Sequence, residues 1–231
     1  MVIIVSYTIS NLGKIMNSVI ILGSGSGERF NSKIPKQFIY YKNKRIIQYS
    51  IDTFLNNDKI LEVVIVVPQK WVEEIQIMYK KCKVIVGGST RFESMRNGFN
   101  NISIKSNNVL IHDAARPLVS KNIIDNCINF LDNYDASCPY IDSKDSVISK
   151  KNGFVNYLNR DEIKKVQTPQ GFKKDILKKY CNNRAYGYDD ISAAMYYNDN
   201  LNVKFFEGEV NNFKITNDID MHLFRGIVDE L

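Results

Sequence analysis

The chain has 231 residues, of which 44% are hydrophobic and 24% charged, a composition typical of a soluble globular domain with a buried core. The 31 Lys and Arg residues against 25 Asp and Glu residues leave a formal net charge of +6, which suits small anionic ligands. The lysines are spread along the chain without a long basic block, so we expect no nucleic-acid partner.

The first 15 residues, MVIIVSYTISNLGKI, open with an apolar stretch that has no basic segment before it. This stretch is too short and too interrupted to span a bilayer, and a targeting signal is the less favoured interpretation. A second methionine, Met16, stands directly before NSVIILGSGSG, where the predicted domain begins. We expect residues 1–15 to be a disordered leader or to precede the native start, residues 16–231 to form one domain, and no segment to enter a membrane.

Short runs rich in Val and Ile alternate with segments of helical character. The predicted strands cover residues 19–22, 62–68, 83–87, 109–113, 136–141 and 202–208. The predicted helices cover residues 45–57, 71–81, 91–102, 120–134, 191–199 and 218–231. Near-continuous Val and Ile in the strands is typical of a mostly parallel sheet covered on both faces, so we predict a doubly wound α/β domain. Ser120 and Asn217 are predicted helix N-caps, the latter with Asp220 three residues later.

Residues 145–160, DSVISKKNGFVNYLNR, depart from this alternation. Two β-rich arms flank the turn signal KKNG, which predicts a hairpin that projects from the sheet as a β-arm over about residues 143–162. The apolar and aromatic side chains of this arm either pack on a second subunit or fold back on their own domain. The residues alone leave both possibilities open.

Residues 22–38 read LGSGSGERFNSKIPKQF, a glycine-rich turn followed by two cations, Arg29 and Lys36. Backbone N–H groups in such a turn can approach an anion closely. Because Glu28 stands where a third glycine would be counted from Gly23, the turn is not a dinucleotide fingerprint, and no spacing gives a P-loop. The combination indicates chemistry at phosphorus, where fixed positive charge stabilises the transition state, and a plain glycine turn is the alternative.

The segment VLIHDAARP places Asp113 directly after a predicted buried strand, at the edge of the sheet where doubly wound folds bind ligands. A lone carboxylate beside a triphosphate suits one Mg²⁺ held mainly by phosphate oxygens and water. A role as a turn cap is the alternative for Asp113, and Arg116 is a candidate for pairing with it. We expect His112 to be packed or hydrogen-bonded rather than catalytic.

A second glycine turn, GGSTRFES, leads into a predicted helix that puts Arg91 and Ser94 on one side. Further along the chain, three polar residues lie in segments that could be ordinary loops. Together, Arg160, Thr168 and Lys214 would form a second anion pocket for a phosphorylated acceptor.

The motifs GSGSGERF, PKQF, GGSTRFES, HDAARP, QTPQGF and NNFKIT occur here in this order. From Met16 to the C-terminus the chain resembles the family of cytidylyltransferases that act on phosphorylated polyols such as 2-C-methyl-D-erythritol 4-phosphate and ribitol 5-phosphate. The resemblance implies a Rossmann-like nucleotidyltransferase fold, CTP with Mg²⁺, and a homodimer joined through the β-arm. It also implies that the acceptor's phosphate attacks the α-phosphorus of CTP and releases pyrophosphate.

The resemblance further implies a role for each matching position. The residues expected to bind CTP are Gly23, Ser24, Gly25, Gly27, Gly88, Ser89 and Ser94. The catalytic residues are expected to be Arg29, Lys36 and the magnesium ligand Asp113. The residues expected to bind the acceptor are Ser146, Arg160, Thr168 and Lys214.

Several positions depart from the family's pattern. Members usually have a small Ala or Gly at the position of Ser24 and often an aspartate at that of Ser89. Ser143 is the alternative to Ser146 on the acceptor side. A second metal ligand is in doubt because Asn211 stands where some members have aspartate, and Asp189 or Asp190, near a family Thr-Asp pair, could simply cap a helix.

Two questions about function remain open at this stage, the identity of the acceptor and the class of function. HDAARP favours a 2-C-methyl-D-erythritol 4-phosphate acceptor, which is the leading hypothesis, whereas VVPQKW and DSVIS favour the alternative, ribitol 5-phosphate. A nucleotide-binding module without catalysis is a different class of function, but it would not require Arg29, Lys36 and Asp113 together. The four cysteines have no C-x-x-C spacing, which favours buried thiols in a reducing, cytoplasmic compartment.

Overall fold

A computed structural model describes residues 15–25, 34–182 and 187–230 of the chain. Most of the predicted leader, residues 1–14, lies outside these described ranges. The same holds for residues 26–33, which include two predicted site residues, Gly27 and Arg29.

Twelve strands and seven helices make up the regular structure of the described ranges. The strands are β1 (Asn17–Leu22), β2 (Tyr40–Tyr41), β3 (Lys44–Arg45), β4 (Ile60–Val67), β5 (Lys83–Val86), β6 (Asn108–Asp113), β7 (Ala136–Asp142), β8 (Val147–Lys151), β9 (Phe154–Leu158), β10 (Lys164–Val166), β11 (Gln170–Lys173) and β12 (Val203–Glu207). The helices are α1 (Ile46–Leu55), α2 (Gln69–Met78), α3 (Arg91–Asn101), α4 (Lys121–Phe130), α5 (Lys174–Cys181), α6 (Asp190–Tyr197) and α7 (Asp218–Glu230).

The central sheet has eight strands in the order β10-β7-β11-β6-β1-β4-β5, with β12 pairing with β7. Strands β6, β1, β4 and β5 are parallel to one another, and β12 is parallel to β7. Strands β10 and β11 run antiparallel to their neighbours. The predicted mostly parallel sheet flanked by helices is therefore confirmed.

Strand β1 explains why the sheet forms at this point in the sequence. All six of its residues are buried. Val19 and Ile21 pack into the core on one face of the sheet, beneath α1, α2 and α4, while Ile20 and Leu22 pack into the core on the other, beneath α3, α5 and α6. Because β1 is buried on both faces, successive positions from Val19 to Leu22 are all apolar, as the Val and Ile run predicted, while the buried polar side chains of Asn17 and Ser18 at its start are hydrogen-bonded.

Strands β10 and β11 and helix α5 were not predicted. The four residues of β11, QGFK, include none of the β-branched residues that mark strands, yet β11 is an inner strand between β6 and β7. A Cβ at Gly171 would lie 2.6 Å from Ser137 Oγ and 2.8 Å from Cys127 Sγ. The glycine therefore lets β11 lie close against β7 and α4, a tertiary requirement that its own sequence does not display.

The predicted hairpin is present as β8 and β9, a two-stranded sheet separate from the central one. Its turn places Asn152 and Gly153 at φ values of 50° and 85°, as a tight hairpin turn requires. Two aromatic side chains on this β-arm are strongly exposed, Phe154 at 76% and Tyr157 at 81%. The arm therefore does not fold back over its own domain.

The predicted helix caps are confirmed. Ser120 Oγ accepts a hydrogen bond from Ile123 N at 3.1 Å at the start of α4. Asn217 and Asp220 hydrogen-bond to each other's backbone N–H groups at the start of α7. Among the described helices, none combines the length and the apolar character needed to cross a bilayer.

Candidate active site

A cavity of about 680 Å³ opens at the carboxyl ends of β1, β5 and β6. It collects residues from the first glycine turn, the turn at Lys36, the start of α3, the end of β6 and the segment before α7. Its lining is Leu22, Gly23, Ser24, Gly25, Lys36, Gln37, Gly88, Ser89, Thr90, Arg91, Ser94, Asp113, Ala114, Ala115 and Lys214. Most predicted CTP-binding and catalytic residues within the described ranges therefore meet in one place.

Gln37 holds the glycine turn in position. Its Nε2 donates hydrogen bonds to Gly23 O at 2.7 Å and to Gly25 O at 2.8 Å. With both carbonyls turned toward Gln37, this stretch of backbone is fixed on one side of the cavity. Sequence reasoning missed this role, and the only available signal was the position of Gln37 directly after Lys36.

Lys36 stands on a short 3₁₀ turn, Lys36–Phe38, which follows Pro35. The turn is braced from behind, since the ring of Phe38 stacks on Trp71 with centroids 4.3 Å apart. Arg45 donates to Phe38 O at 2.6 Å and lies over the Trp71 ring at 4.6 Å. A buried lysine in the cavity wall, only 9% exposed, is thus held by a packed aromatic support.

Ser94 joins the two glycine turns. Its Oγ accepts hydrogen bonds from Ser24 Oγ at 2.7 Å and Gly88 N at 3.0 Å, and donates to Thr90 O at 2.9 Å. A hydroxyl has one proton and two lone pairs, so these bonds use its whole capacity. The contact of Ser94 with cytosine or ribose that the resemblance implies stays a prediction, and the structure shows in addition that Ser94 lines the cavity and positions the backbone of both turns.

Ser94→Ala is expected to raise the KM for CTP about tenfold with little change in kcat. The substitution leaves Gly88 N and Ser24 Oγ without their partner, so both turns lose their fixed geometry. Steady-state kinetics with CTP and UTP measure this, and Ser24→Ala, which removes one bond, serves as the milder control. If Ser94 contacted the base directly, the preference for CTP over UTP would fall, which would contradict this role.

The backbone at Gly88 and Ser89 is held by Glu93. Its Oε2 accepts hydrogen bonds from Ser89 N at 2.8 Å and from Ser89 Oγ at 2.5 Å. A Cβ at Gly88 would lie 2.3 Å from Glu93 Cβ, so only glycine fits there. Glu93 thus places a carboxylate next to Ser89 from one helical turn away.

Asp113 lies between two cations in the cavity. Its Oδ1 accepts from Arg91 Nε and Nη2 at 3.2 and 3.1 Å, and its Oδ2 from Lys214 Nζ at 2.7 Å. Burial alone would raise the pKa of the Asp113 carboxyl, but the charges of Arg91, Lys214 and Arg116 outweigh burial and hold it well below its ordinary value. Asp113 is therefore ionised throughout the physiological range.

Two residues below the cavity fix the end of β6. Thr168 Oγ1 accepts from Asp113 N at 3.1 Å and lies 3.2 Å from His112 Nδ1. Burial lowers the pKa of His112 to about 4, so the ring is neutral, and because Nε2 donates to Arg116 O at 3.1 Å, Nδ1 accepts the Thr168 proton. His112 is packed and hydrogen-bonded as expected. Thr168 supports Asp113 from beneath and does not line the cavity, and its role in binding the acceptor stays a prediction.

The guanidinium of Arg116 does not hydrogen-bond to the Asp113 carboxylate, although the Arg116 backbone N–H donates to Asp113 O at 2.9 Å. The guanidinium donates to Asn212 O at 2.8 Å and to Val166 O at 3.3 Å, so it ties the end of β6 to two neighbouring segments. Its side chain acts on the Asp113 carboxylate through its charge.

The remaining predicted acceptor residues are not brought together. Lys214 lines the same cavity as Lys36 and Asp113, so it does not form a second pocket. Arg160 lies on the exposed 3₁₀ turn Arg160–Glu162 that follows the β-arm, with its side chain 61% exposed, and Ser146 is exposed before β8. Ser143 is buried, and none of the three lines the cavity.

The donor set of the cavity suits a magnesium ion that arrives with a nucleotide. Across the described ranges, no three His, Cys, Asp or Glu side chains cluster to hold a metal by themselves. Among the described residues that line the cavity, Asp113 alone provides carboxylate oxygens, and both are ion-paired. One carboxylate plus substrate phosphates is a common arrangement for Mg²⁺, whereas a resident all-protein site would need more ligands.

Comparison with known proteins places these observations in one family. Residues 17–230 match the sequence profile described as IspD: 2-C-methyl-D-erythritol 4-phosphate cytidylyltransferase. A Clostridium botulinum protein of that name is 35% identical over 227 residues, which cover 93% of this chain and 98% of the relative. A Thermotoga neapolitana protein of the same name is 32% identical over 219 residues, with 93% and 98% covered.

Solved structures agree with the fold. The 4-diphosphocytidyl-2C-methyl-D-erythritol synthase of Anaerococcus prevotii superposes with a TM-score of 0.82 at 24% identity, covering 94% of this chain and 96% of that one. The 2-C-methyl-D-erythritol 4-phosphate cytidylyltransferase of Francisella tularensis gives 0.77 at 27% identity, with 91% and 98% covered.

Proposed function

The chain belongs to the 2-C-methyl-D-erythritol 4-phosphate cytidylyltransferase family, and on that premise we propose how its cavity performs the transfer. The protein is a CTP-dependent nucleotidyltransferase that acts on 2-C-methyl-D-erythritol 4-phosphate in isoprenoid biosynthesis. A phosphate oxygen of the acceptor attacks the α-phosphorus of CTP, the bond to the β-phosphate breaks, and pyrophosphate leaves. Because the attacking phosphate is already ionised, no general base is required.

The observation that carries this proposal is the meeting of Lys36, Asp113 and Lys214 beside the glycine turn in one cavity. The triphosphate lies along Gly23–Gly25, whose backbone Gln37 fixes. Lys36 faces the negative charge that builds on the α-phosphate oxygens and on the leaving pyrophosphate. Fixed cations at these oxygens stabilise the transition state more than the ground state.

Asp113 would be the protein's ligand for a magnesium ion that arrives with the nucleotide phosphates. The ion, when bound, neutralises phosphate charge and orients the triphosphate. Lys214, which lines the same cavity and pairs with Asp113 Oδ2, would face the acceptor's phosphate. Arg29, which the family resemblance pairs with Lys36, lies outside the described residues and is retained as a second cation for the phosphates.

The protein acts as a homodimer joined through the β-arm. The arm leaves Phe154, Tyr157, Ile148 and Val155 at least half exposed, an apolar surface that a second copy would cover. Arg160 does not line the cavity of its own chain, so it would reach an acceptor only in the cavity of that second copy. The same argument applies to Ser146, which is exposed at the start of the β-arm.

Mixed dimers test the role of Arg160 in the partner's cavity. Arg160→Ala and Lys36→Ala homodimers are each expected to be at least tenfold less active than wild type. Mixing them would restore activity, since one mixed-dimer cavity has both a native Lys36 and a native Arg160 from the other chain. Subunit exchange followed by pyrophosphate release measures this, and an unrestored mixture of proven heterodimers would place Arg160 in its own chain's site.

We also place the protein in the cytoplasm. All four cysteines are buried and unpaired, as is usual for proteins of a reducing compartment. Burial raises the pKa of Cys127 to about 12 and that of Cys82 to about 11, so these thiols are unreactive at neutral pH.

The reaction itself is tested by measuring pyrophosphate released from CTP and Mg²⁺ with a panel of acceptors. We expect release with 2-C-methyl-D-erythritol 4-phosphate, much less with ribitol 5-phosphate, and none without an acceptor. A chain that bound CTP without releasing pyrophosphate in any mixture would be a nucleotide-binding module. A preference for ribitol 5-phosphate would overturn the acceptor assignment while keeping the chemistry.

A further inference from the structure

A fully buried carboxylate, Asp190, lies behind the cavity and is not part of its lining. Its Oδ2 lies 2.8 Å from Arg91 Nη2, the nitrogen that also lies 3.1 Å from Asp113 Oδ1. One guanidinium thus bridges a buried carboxylate and a cavity carboxylate. Lys214 extends the row on the far side of Asp113.

Asp190 is held rigidly in this place. It is the first residue of α6, directly after the N-cap Asp189, whose side chain accepts from Ser192 N at 2.7 Å. Gln170 of β11 donates to Asp189 Oδ2 at 2.9 Å and accepts from Ile191 N at 3.1 Å. Both neighbours of Asp190 are therefore tied to the central sheet, and its carboxylate cannot follow Arg91 if that side chain moves.

Burial raises the pKa of the Asp190 carboxyl, and the charge of Arg91 opposes this rise. Within the described ranges, neither of its oxygens has a well-aligned hydrogen bond, and Arg91 is its ion-pair partner. Separating a buried carboxylate from its partner is strongly unfavourable, whereas Asp113 would keep Lys214 and the solvent of the cavity. When the triphosphate and magnesium arrive, the longer Arg91–Asp113 contact is the one that yields.

We propose that Asp190 is a positioning residue that retains Arg91 in the cavity wall and thereby leaves Asp113 Oδ1 available to the magnesium that comes with CTP. This inference rests on the proposed function of Asp113. Without the buried carboxylate of Asp190, Arg91 would form its ion pair with Asp113 alone. The metal would then have to displace a more tightly held guanidinium.

The test is the linkage between magnesium and CTP binding, measured by isothermal titration calorimetry. For each variant, the Kd for CTP in EDTA is divided by the Kd in saturating MgCl₂. We expect Asp190→Asn to lower this ratio about tenfold, a typical size for coupling between two bound species. The double variant Arg91→Gln/Asp190→Asn, which removes the competing guanidinium, is expected to restore at least the wild-type ratio.

Asp189→Asn is the matched control, because it disturbs the same helix start without touching Arg91, and its ratio is expected to stay at the wild-type value. A wild-type ratio in Asp190→Asn, or a double variant as low as the single one, would overturn the inference. If Asp190→Asn does not fold, Asp190→Ser replaces it with the same expectation. If magnesium did not change the CTP affinity of the wild-type protein, the proposed metal role of Asp113 would itself be wrong. This outcome is therefore distinct from a failure of the inference about Asp190 alone.

Discussion

Lys36→Ala is expected to lower kcat about 100- to 1000-fold while weakening CTP binding less than tenfold. The side chain is buried in the cavity wall next to the backbone that Gln37 fixes, so its ammonium group does not need to reorganise during the reaction. Removing one fixed donor aimed at developing charge costs roughly two to three orders of magnitude in rate. Single-turnover kinetics and CTP titration separate the two effects.

Lys36→Met is the matched variant, because it fills the same buried space without the charge. It is expected to lose as much turnover as Lys36→Ala, whereas Lys44→Ala, which removes an exposed lysine paired with Asp52, should leave turnover unchanged. If Lys36→Met kept near-wild-type turnover, Lys36 would contribute packing only. Equal losses in CTP affinity and turnover would instead mean that it binds the ground state.

The fold was predictable where burial leaves a strong local pattern. The uninterrupted Val and Ile run of β1 and the hydroxyl at Ser120 are signals that a single segment carries by itself. Strand β11 was missed because its place depends on a glycine fitting against Ser137 and Cys127, which are distant in sequence. The pattern of residues within one segment cannot show how closely that segment packs against another segment.

The charged residues of the candidate site could be predicted from the sequence, but most of the residues that hold them in place could not. Lys36, Asp113 and Lys214 stand in motifs whose residue types suit phosphate chemistry, and the structure brings them into one cavity. Gln37 and Asp190 act on their neighbours through contacts that only the fold creates, so their local sequence did not predict those roles. For the same reason, the sequence did not predict that the Thr168 hydroxyl hydrogen-bonds to the end of β6.

Asp113→Asn is expected to abolish measurable turnover and at the same time to tighten CTP binding in the absence of metal. The substitution keeps the shape of the side chain but removes the charge that now pairs with Arg91 and Lys214. Those two cations would then face the triphosphate directly. Their attraction for it should lower the metal-free Kd for CTP about three- to tenfold, as expected for partly solvated charges a few ångströms apart.

The opposite signs of the two effects distinguish the possible roles of Asp113. A residue that only positioned Arg91 and Lys214 would, when neutralised, cost turnover modestly and leave magnesium still able to strengthen CTP binding. A magnesium ligand would lose that strengthening altogether, since no other carboxylate of the described residues lines the cavity. Calorimetry of Asp113→Asn with and without MgCl₂ therefore decides the point, with Asp142→Asn, which neutralises an exposed ion-paired carboxylate, as the control.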